Sequence, residues 1–495
     1  MAFNLRNPVA FEPKKEAYSF QFNALKEVEE LPYAAIFHEQ GLGKTKIGLD
    51  LALNWLELDE VDTVMVVTKK SLVSNWQNEI NMHTHITPHV LSGNKGANIR
   101  LLNRAVLIYI LNYEVVSVNL DLISLFLETC KVGVILDESQ KIKNPESKLT
   151  QSFIELSPKF YKRIIMTGTP VANRPFDIWS QIYFLDAGKS LGESFEEFKS
   201  RTDLPKESSK MHQNSTDIFA NTLSEIWGAI KPFSVRETKE SSGLELPSKT
   251  IFSEKLKMEG EQAKIYTNYQ KKLKHELMDE NGDITVDDAE SILKRLGRLI
   301  QCASNPAIID SSYTELPIKF QYLSNKLTEI TNNKNKVIIW TSYINSVEWL
   351  CDKLAEYQPC KIHGSISIDE RNNDIERFKN DPSCQIMIAT PGSAKEGLTL
   401  TVANYAIFYD RSFSLDDYLQ AQDRIHRISQ TQECSILNLI AEGSIDEWLD
   451  SLLNAKYQAA MITQGDTDKQ SFIEGFDYDL SELLRQVLNN EINYN

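Results

Sequence analysis

The sequence predicts an α/β protein with two parallel sheets in succession and a polar, largely helical region between them. Three observations carry this. Apolar, β-branched runs recur at 34–37 (AAIF), 64–67 (VMVV), 105–110 (AVLIYI), 132–136 (VGVIL) and 163–166 (RIIM), with helical stretches between. The series restarts after about residue 320, at 337–340 (VIIW), 361–363 (KIH), 385–389 (QIMIA), 405–409 (YAIFY) and 435–440 (SILNLI). Runs that are apolar at every position suit strands covered on both faces. Finally, 495 residues exceed one ordinary core, so two or three domains are expected.

Each part follows in order. The first lobe is expected over 1–240, with a helical insertion from about 190. A linker (LELPSK, 244–249) and a helical protrusion fill 241–320, where Lys and Glu replace the apolar runs. The second lobe spans 321–465, and an amphipathic closing helix (YDLSELLRQVL) with a tail occupies 466–495. Composition is that of a soluble globular chain, with 42% hydrophobic and 25% charged residues. No run approaches the ~18 apolar residues of a membrane helix. The first residues lack the apolar centre of a secretion signal, and six scattered cysteines show no CxxC pairing. A cytoplasmic chain with reduced thiols is the expectation.

Net charge is 53 − 69 = −16, which argues against a chain coated with nucleic-acid-binding charge. Any such contact must be a local basic cleft, and salt-sensitive.

The chemistry starts at FHEQGLGKTKIGL, 37–49. A strand, a glycine loop and a helix follow in the order a phosphate-binding loop needs, because loop amides and the helix N-terminus then face the phosphates. Gln40, Gly41, Leu42, Gly43, Lys44 and Thr45 form the candidate loop. Lys44 would reach the β- and γ-phosphates, and Thr45 would hold Mg²⁺. The usual first glycine of such loops is His38 here. A second metal ligand is expected where VGVILDES turns from apolar to acidic: Asp137 for Mg²⁺, Glu138 for the attacking water.

Together these stretches resemble the Swi/Snf-type ATPases of helicase superfamily two. That family writes its loop D-E-M-G-L-G-K-T, against H-E-Q-G-L-G-K-T here, so His38 replaces an acidic residue and not a glycine. Phe20-Gln21 resembles the adenine-reading glutamine motif. TKKSLVSNWQNEI (68–80), ILNYE (110–114), LDESQKIKN (136–144), MTGTPVANRPFDIWS (166–180), KPFSVRETK (231–239) and LGRLIQCASNP (296–306) follow in family order. So do VIIWTSY (337–343), KIHGSISIDERNNDIERF (361–378), PGSAKEGLTLTVAN (391–404) and QAQDRIHRISQTQE (420–433). Departures are Ser139-Gln140 in the acidic box, Ala394-Lys395 for a glycine pair, Thr399 for an asparagine, and Ser429 for a glycine.

The resemblance implies two RecA-like lobes with helical insertions, ATP and Mg²⁺ as substrate and cofactor, and Gly397 as a further nucleotide contact. It implies Arg424 and Arg427 as arginine fingers, which the i, i+3 spacing would place on one helical face. It implies a double-stranded DNA translocase that remodels protein–DNA complexes or powers a separate nuclease, methylase or transcription partner. A strand-separating helicase and an ATP-binding scaffold of weak turnover are the alternatives. Lys69, Lys70, Asn112, Asn173, Thr341 and His363 are candidate backbone grips. DENGDITVDDAE (279–290) nearly copies a calcium loop, with Asp279, Asn281, Asp283, Asp287 and Glu290 at ligand places, but Ile284 stands where the turn needs glycine. His83, His85 and His89 lack a completing ligand and are expected at the surface. Trp340 and Trp349 are expected in the core.

Overall fold

A computed structural model describes residues 10–204, 213–277, 289–394, 398–476 and 487–489. The chain divides into two compact units. One comprises residues 1–203, 217–244 and 459–474, and the other 204–216, 245–458 and 475–495.

The first unit holds seven strands: β1 (Tyr33–Ile36), β2 (Thr63–Thr68), β3 (His89–Val90), β4 (Ile108–Asn112), β5 (Val132–Asp137), β6 (Lys162–Met166) and β7 (Ser234–Val235). They pair in parallel in the order β3-β4-β2-β5-β6-β1-β7. All six residues of β2 are buried, as a strand covered on both faces requires. Register matters most at one row: Met166 of β6 aligns with Ile36 on one side and Asp137 on the other. The ends of β1 and β5 therefore lie two strand spacings apart, about 9.5 Å, on the same edge.

The second unit holds β8 (Lys249–Leu256), β9 (Val337–Trp340), β10 (Cys360–Ile362), β11 (Ile386–Ala389), β12 (Tyr405–Phe408) and β13 (Cys434–Ala441), all parallel, in the order β10-β11-β9-β12-β13-β8. Alternation along β9 divides its core. Ile338 and Trp340 pack with one cluster, Val337 and Ile339 with the other. The two-lobe α/β architecture is thus as expected.

Two expectations about its limits need correction. Residues 241–320 are not only linker and helices, because β8 is the edge strand of the second sheet, paired with β13 along eight positions. Most of its side chains are exposed, so it lacks the apolar run that marks a buried strand. Nor does the second lobe run to 465, because residues 459–465, with 466–474 of the expected closing helix and tail, count with the first unit. There Asp466 meets Arg236, Gly465 (φ +78°) abuts Trp227, and Phe472 packs on Phe219. Most of the expected closing helix lies outside the described residues.

Candidate phosphate and metal site

The site is built on the carboxyl edge of the first sheet. β1 is followed by the loop 37–43 and then by the helix Lys44–Glu57. Gly41 and Gly43 take φ of +90° and +69°, a region that costs a side chain and that glycine enters freely. At Gly43 space is also closed, since a Cβ there would lie 2.4 Å from Gln21 Nε2. Gly43 is the N-cap and no side chain caps the helix. Its first amides are left to an anion, which the helix dipole also favours.

Lys44 Nζ donates to the carbonyls of His38 (2.9 Å) and Glu39 (3.3 Å), so the ammonium sits folded against its own loop. Gln21, expected to read adenine, is buried and engaged with the chain. Its Nε2 donates to Leu42 O (3.0 Å), and its Oε1 accepts from Tyr18 N (3.0 Å). Gln40 is buried against Gly168, where a Cβ would meet Gln40 Cγ at 2.8 Å. Its Nε2 has no partner among the described residues.

His38 is buried at the start of the loop. Burial, and then the charges of Lys44 and Arg236, push its imidazole down to about 3, so it is neutral at pH 7. Arg236 donates to Phe37 O, and its fork grips Asp466 (Nε–Oδ1 2.9 Å, Nη2–Oδ2 2.5 Å). The segment after the last long helix thus reaches the backbone that opens the loop. Sequence reading did not find this pair, whose members stand 230 positions apart.

At the end of β5, Asp137 Oδ2 accepts from Thr68 Oγ1 (2.9 Å) and Trp76 Nε1 (2.8 Å). Tyr113 OH donates to its carbonyl (2.8 Å). Burial, and then the neighbouring Glu138, push the Asp137 carboxyl up to about 6. Glu138 has φ +54°, uncommon for a residue with a side chain and a mark of backbone held for a purpose. Gln140 Nε2 donates to Glu138 Oε2 (2.5 Å), and Lys69 Nζ lies 4.0 Å from the same oxygen. Ser139 Oγ donates to Gln181 Oε1 (2.7 Å), and Gln181 Nε2 bonds Pro170 O (2.8 Å). The two departures from the family box therefore have partners here: Gln140 orients Glu138, and Ser139 ties the box to the segment at 166–180.

These residues fit a magnesium triphosphate. The left-handed glycines, the uncapped helix start and Lys44 suit phosphate. Thr45 and Asp137 offer hard oxygen ligands of the kind Mg²⁺ takes, one or two from protein and the rest from phosphate and water. No group of three or more His, Cys, Asp or Glu side chains that could hold a metal occurs among the described residues.

The second unit places its candidates differently. The helix Leu415–Gln422 ends before Arg424, so Arg424 and Arg427 do not share a helical face. The carbonyl of Arg424 accepts from Leu400 N (3.0 Å), a tertiary bond that takes the place of a further helical turn. Arg424 is buried and donates to Leu398 O (3.2 Å). Arg427 is half-buried, with Nη1 donating to Thr399 Oγ1 (3.1 Å) and Nε to Asp423 O (2.7 Å). Gly397 lies outside the described residues.

Thr341 is fully buried and donates to Asp410 Oδ2 (2.6 Å), so it cannot grip DNA. Asn112 caps the following helix through Val115 N (3.0 Å). His363 is buried, with Nε2 2.7 Å from Glu348 Oε1. Lys70 is exposed, and Lys69 and Asn173 are half-buried. The acidic stretch 279–290 falls almost wholly outside the described residues. His83 lies 3.3 Å from Glu79, His85 is exposed and His89 is half-buried in β3. Trp340 is in the core, and Trp349 packs edge-on to Phe320.

Strand order and edge chemistry define a phosphate-loop protein with two parallel-sheet units. Comparison narrows this. The SNF2-related domain matches residues 29–308, and the helicase conserved C-terminal domain matches 318–429. The first match covers more than half of the chain, and the chain belongs to the SNF2-related family. The ATP-dependent DNA helicase DDM1 of Arabidopsis thaliana is 27% identical over 449 residues, covering 82% of this chain and 56% of that protein. The ISWI chromatin-remodeling complex ATPase ISW1 of Saccharomyces cerevisiae is 25% identical over 436 residues, covering 83% and 37%. The chain thus spans about half or less of the length of these relatives. A solved Sulfolobus solfataricus SWI2/SNF2 ATPase core in complex with dsDNA is 25% identical, covers 98% of this chain and 99% of its own, and has a TM-score of 0.43. Among the described residues, no helix is long and apolar enough to cross a membrane.

Proposed function

We propose that this chain hydrolyses ATP and converts the cycle into movement along intact double-stranded DNA, remodelling protein–DNA complexes or driving a separate DNA-processing partner. The observation that carries this is the row Ile36–Met166–Asp137. It sets a glycine loop with an uncapped helix start beside an acidic strand end, in a chain of the SNF2-related family.

Lys44 and the loop amides take the phosphates, and Lys44 exchanges its loop carbonyls for phosphate oxygens. Thr45 and Asp137 would hold Mg²⁺, which when bound neutralises charge on the phosphates. Glu138, held by Gln140, orients the attacking water and draws off its proton. Gln21 braces the loop backbone and, with Gly397, completes the nucleotide contacts. Arg427, carried by the second unit, is assigned to the charge that develops on the transferred phosphoryl group. Arg424 holds the backbone at Leu398, and through it the segment that carries Thr399. Lys69, Lys70 and Asn173 remain as contacts to the DNA backbone, which position a duplex without reading its sequence.

Phosphate contacts survive base pairing, whereas separating strands costs ~1.4 kcal/mol per step and needs an element that unstacks bases. The test is a pair of substrates given to one preparation. ATP-dependent displacement of the third strand of a triplex, lost in Lys44→Ala, is the expected result. Efficient unwinding of a forked duplex would overturn translocation without strand separation, and turnover indifferent to duplex DNA would overturn the reading altogether.

A further inference from the structure

A cavity of about 370 Å³ opens between the helices Gly260–Leu277 and Ala289–Ser304 of the second unit. Tyr269, Lys272 and Glu276 line it from the first helix, at spacings that share one face. Arg295 and Arg298 line it from the second, three positions apart, with Leu299 as part of its buried floor. Three cations thus face one carboxylate. All three are exposed.

Their surroundings set them apart from the chain's other surface cations. In a protein with 69 acidic and 53 basic residues, exposed lysines commonly find a carboxylate, as Lys264 does with Glu261 on this same first helix. Among the described residues, neither Lys272 nor Arg295 has an ion pair, and Arg298 donates only to the neutral Gln301 (3.1 Å). Among the described residues these cations are uncompensated, and their mutual repulsion is a cost that an anionic ligand would remove. Two arginine forks with a tyrosine hydroxyl and an ammonium match phosphate oxygens better than a carboxylate side chain, which one fork would satisfy.

We propose that this cavity is a phosphate-binding site occupied by the sugar–phosphate backbone of the duplex, a contact outside the motifs of either sheet edge. It rests on the reading of the chain as a DNA translocase. A free polyphosphate shares the chemistry and is the alternative source. Each neutralised phosphate contributes about 0.9 to the slope of log affinity against log salt, so loss of one cation should weaken duplex binding roughly eightfold at 0.1 M salt.

The experiment uses the full chain and Lys272→Gln, Arg295→Gln and Arg298→Gln, with a fluorescent duplex titrated at several salt concentrations without nucleotide. ATPase activity without DNA should stay at the wild-type level. The expected result is a shallower salt slope and roughly eightfold weaker binding for each variant, with Arg295→Lys largely restored. Wild-type affinity and slope in all three variants, with or without a lower melting temperature, would overturn the site while leaving the translocase reading intact. A wild-type chain that binds no duplex would overturn both. In a second arm, tripolyphosphate is titrated into Lys44→Ala. Saturable binding that Arg295→Gln removes, with duplex affinity unchanged, would assign the cavity to a free polyphosphate and overturn the backbone assignment.

Discussion

The two sheets end in edges of opposite character. On the first, Lys44 rests on two loop carbonyls, the helix start has no side-chain cap, and Gly41, Gly43 and Glu138 hold left-handed backbone. On the second, Asp410 accepts from Thr341 Oγ1 (2.6 Å), Ser342 N (2.6 Å) and Ser304 Oγ (3.0 Å), and is almost fully buried. One edge stores strain and rests its cation on loop carbonyls that a phosphate can replace. The other spends its carboxylate on tying strand ends to a helix. A parallel sheet thus offers the same geometry twice, and the polar groups at its strand ends decide which edge takes ligand.

The sharpest way to break this contrast is Asp137→Asn. Turnover should fall to background, because the metal needs an ionised carboxylate. The fold should hold or gain stability at pH 7, because a buried charge is removed. In the wild type the folded carboxyl titrates near 6 against an ordinary 3.8, so the folded state binds extra protons between those values. Its stability share rises as pH falls through that window. Turnover moves the opposite way and should fall in acid as the ligand form is lost, at a pH that bound Mg²⁺ lowers. A steady-state pH profile with thermal melts checks both signs.

Arg427→Ala should keep nucleotide affinity and lose ~10³-fold or more in maximal rate, since a finger acts on transition-state charge. A variant that loses affinity and keeps its rate would contradict that role. Asp410→Ala should do the reverse of Asp137→Asn. Three donors lose a buried acceptor at a cost of about 3 kcal/mol or more, seen as a lower melting transition, while nucleotide affinity at the first edge is unchanged. If affinity falls with stability, the two edges are not the separate kinds described above.

The smallest effect belongs to His38. Its folded value near 3 lies below the ordinary 6.5, so the unfolded state binds the extra proton and stability falls as pH drops below 6.5, by about 1.4 kcal/mol per unit at most. His38→Gln should flatten that fall in acid melts and leave stability at pH 8 close to the wild type.

Much of this was legible in the sequence, for a definite reason. Strands buried on both faces write themselves as continuous apolar runs, and a phosphate loop must place glycine and lysine at fixed steps. β8 was not legible, because an exposed edge strand carries no such run. Thr68 and Trp76 as holders of Asp137, and Asp466 as the partner of Arg236, were hidden because long-range hydrogen bonds leave no local pattern. The expected helical pairing of Arg424 with Arg427 failed for a related reason. Spacing alone predicts a shared face, but the carbonyl of Arg424 is claimed by Leu400 N.

The most direct measurement is equilibrium binding of a fluorescent ATP analogue with Mg²⁺ to the wild-type chain, to Lys44→Ala and to Asp410→Asn. With the phosphate site proposed at the first edge, Lys44→Ala should bind at least tenfold more weakly and Asp410→Asn should bind like the wild type. Unchanged binding in Lys44→Ala, or loss of binding in a folded Asp410→Asn, would contradict the assignment of the site.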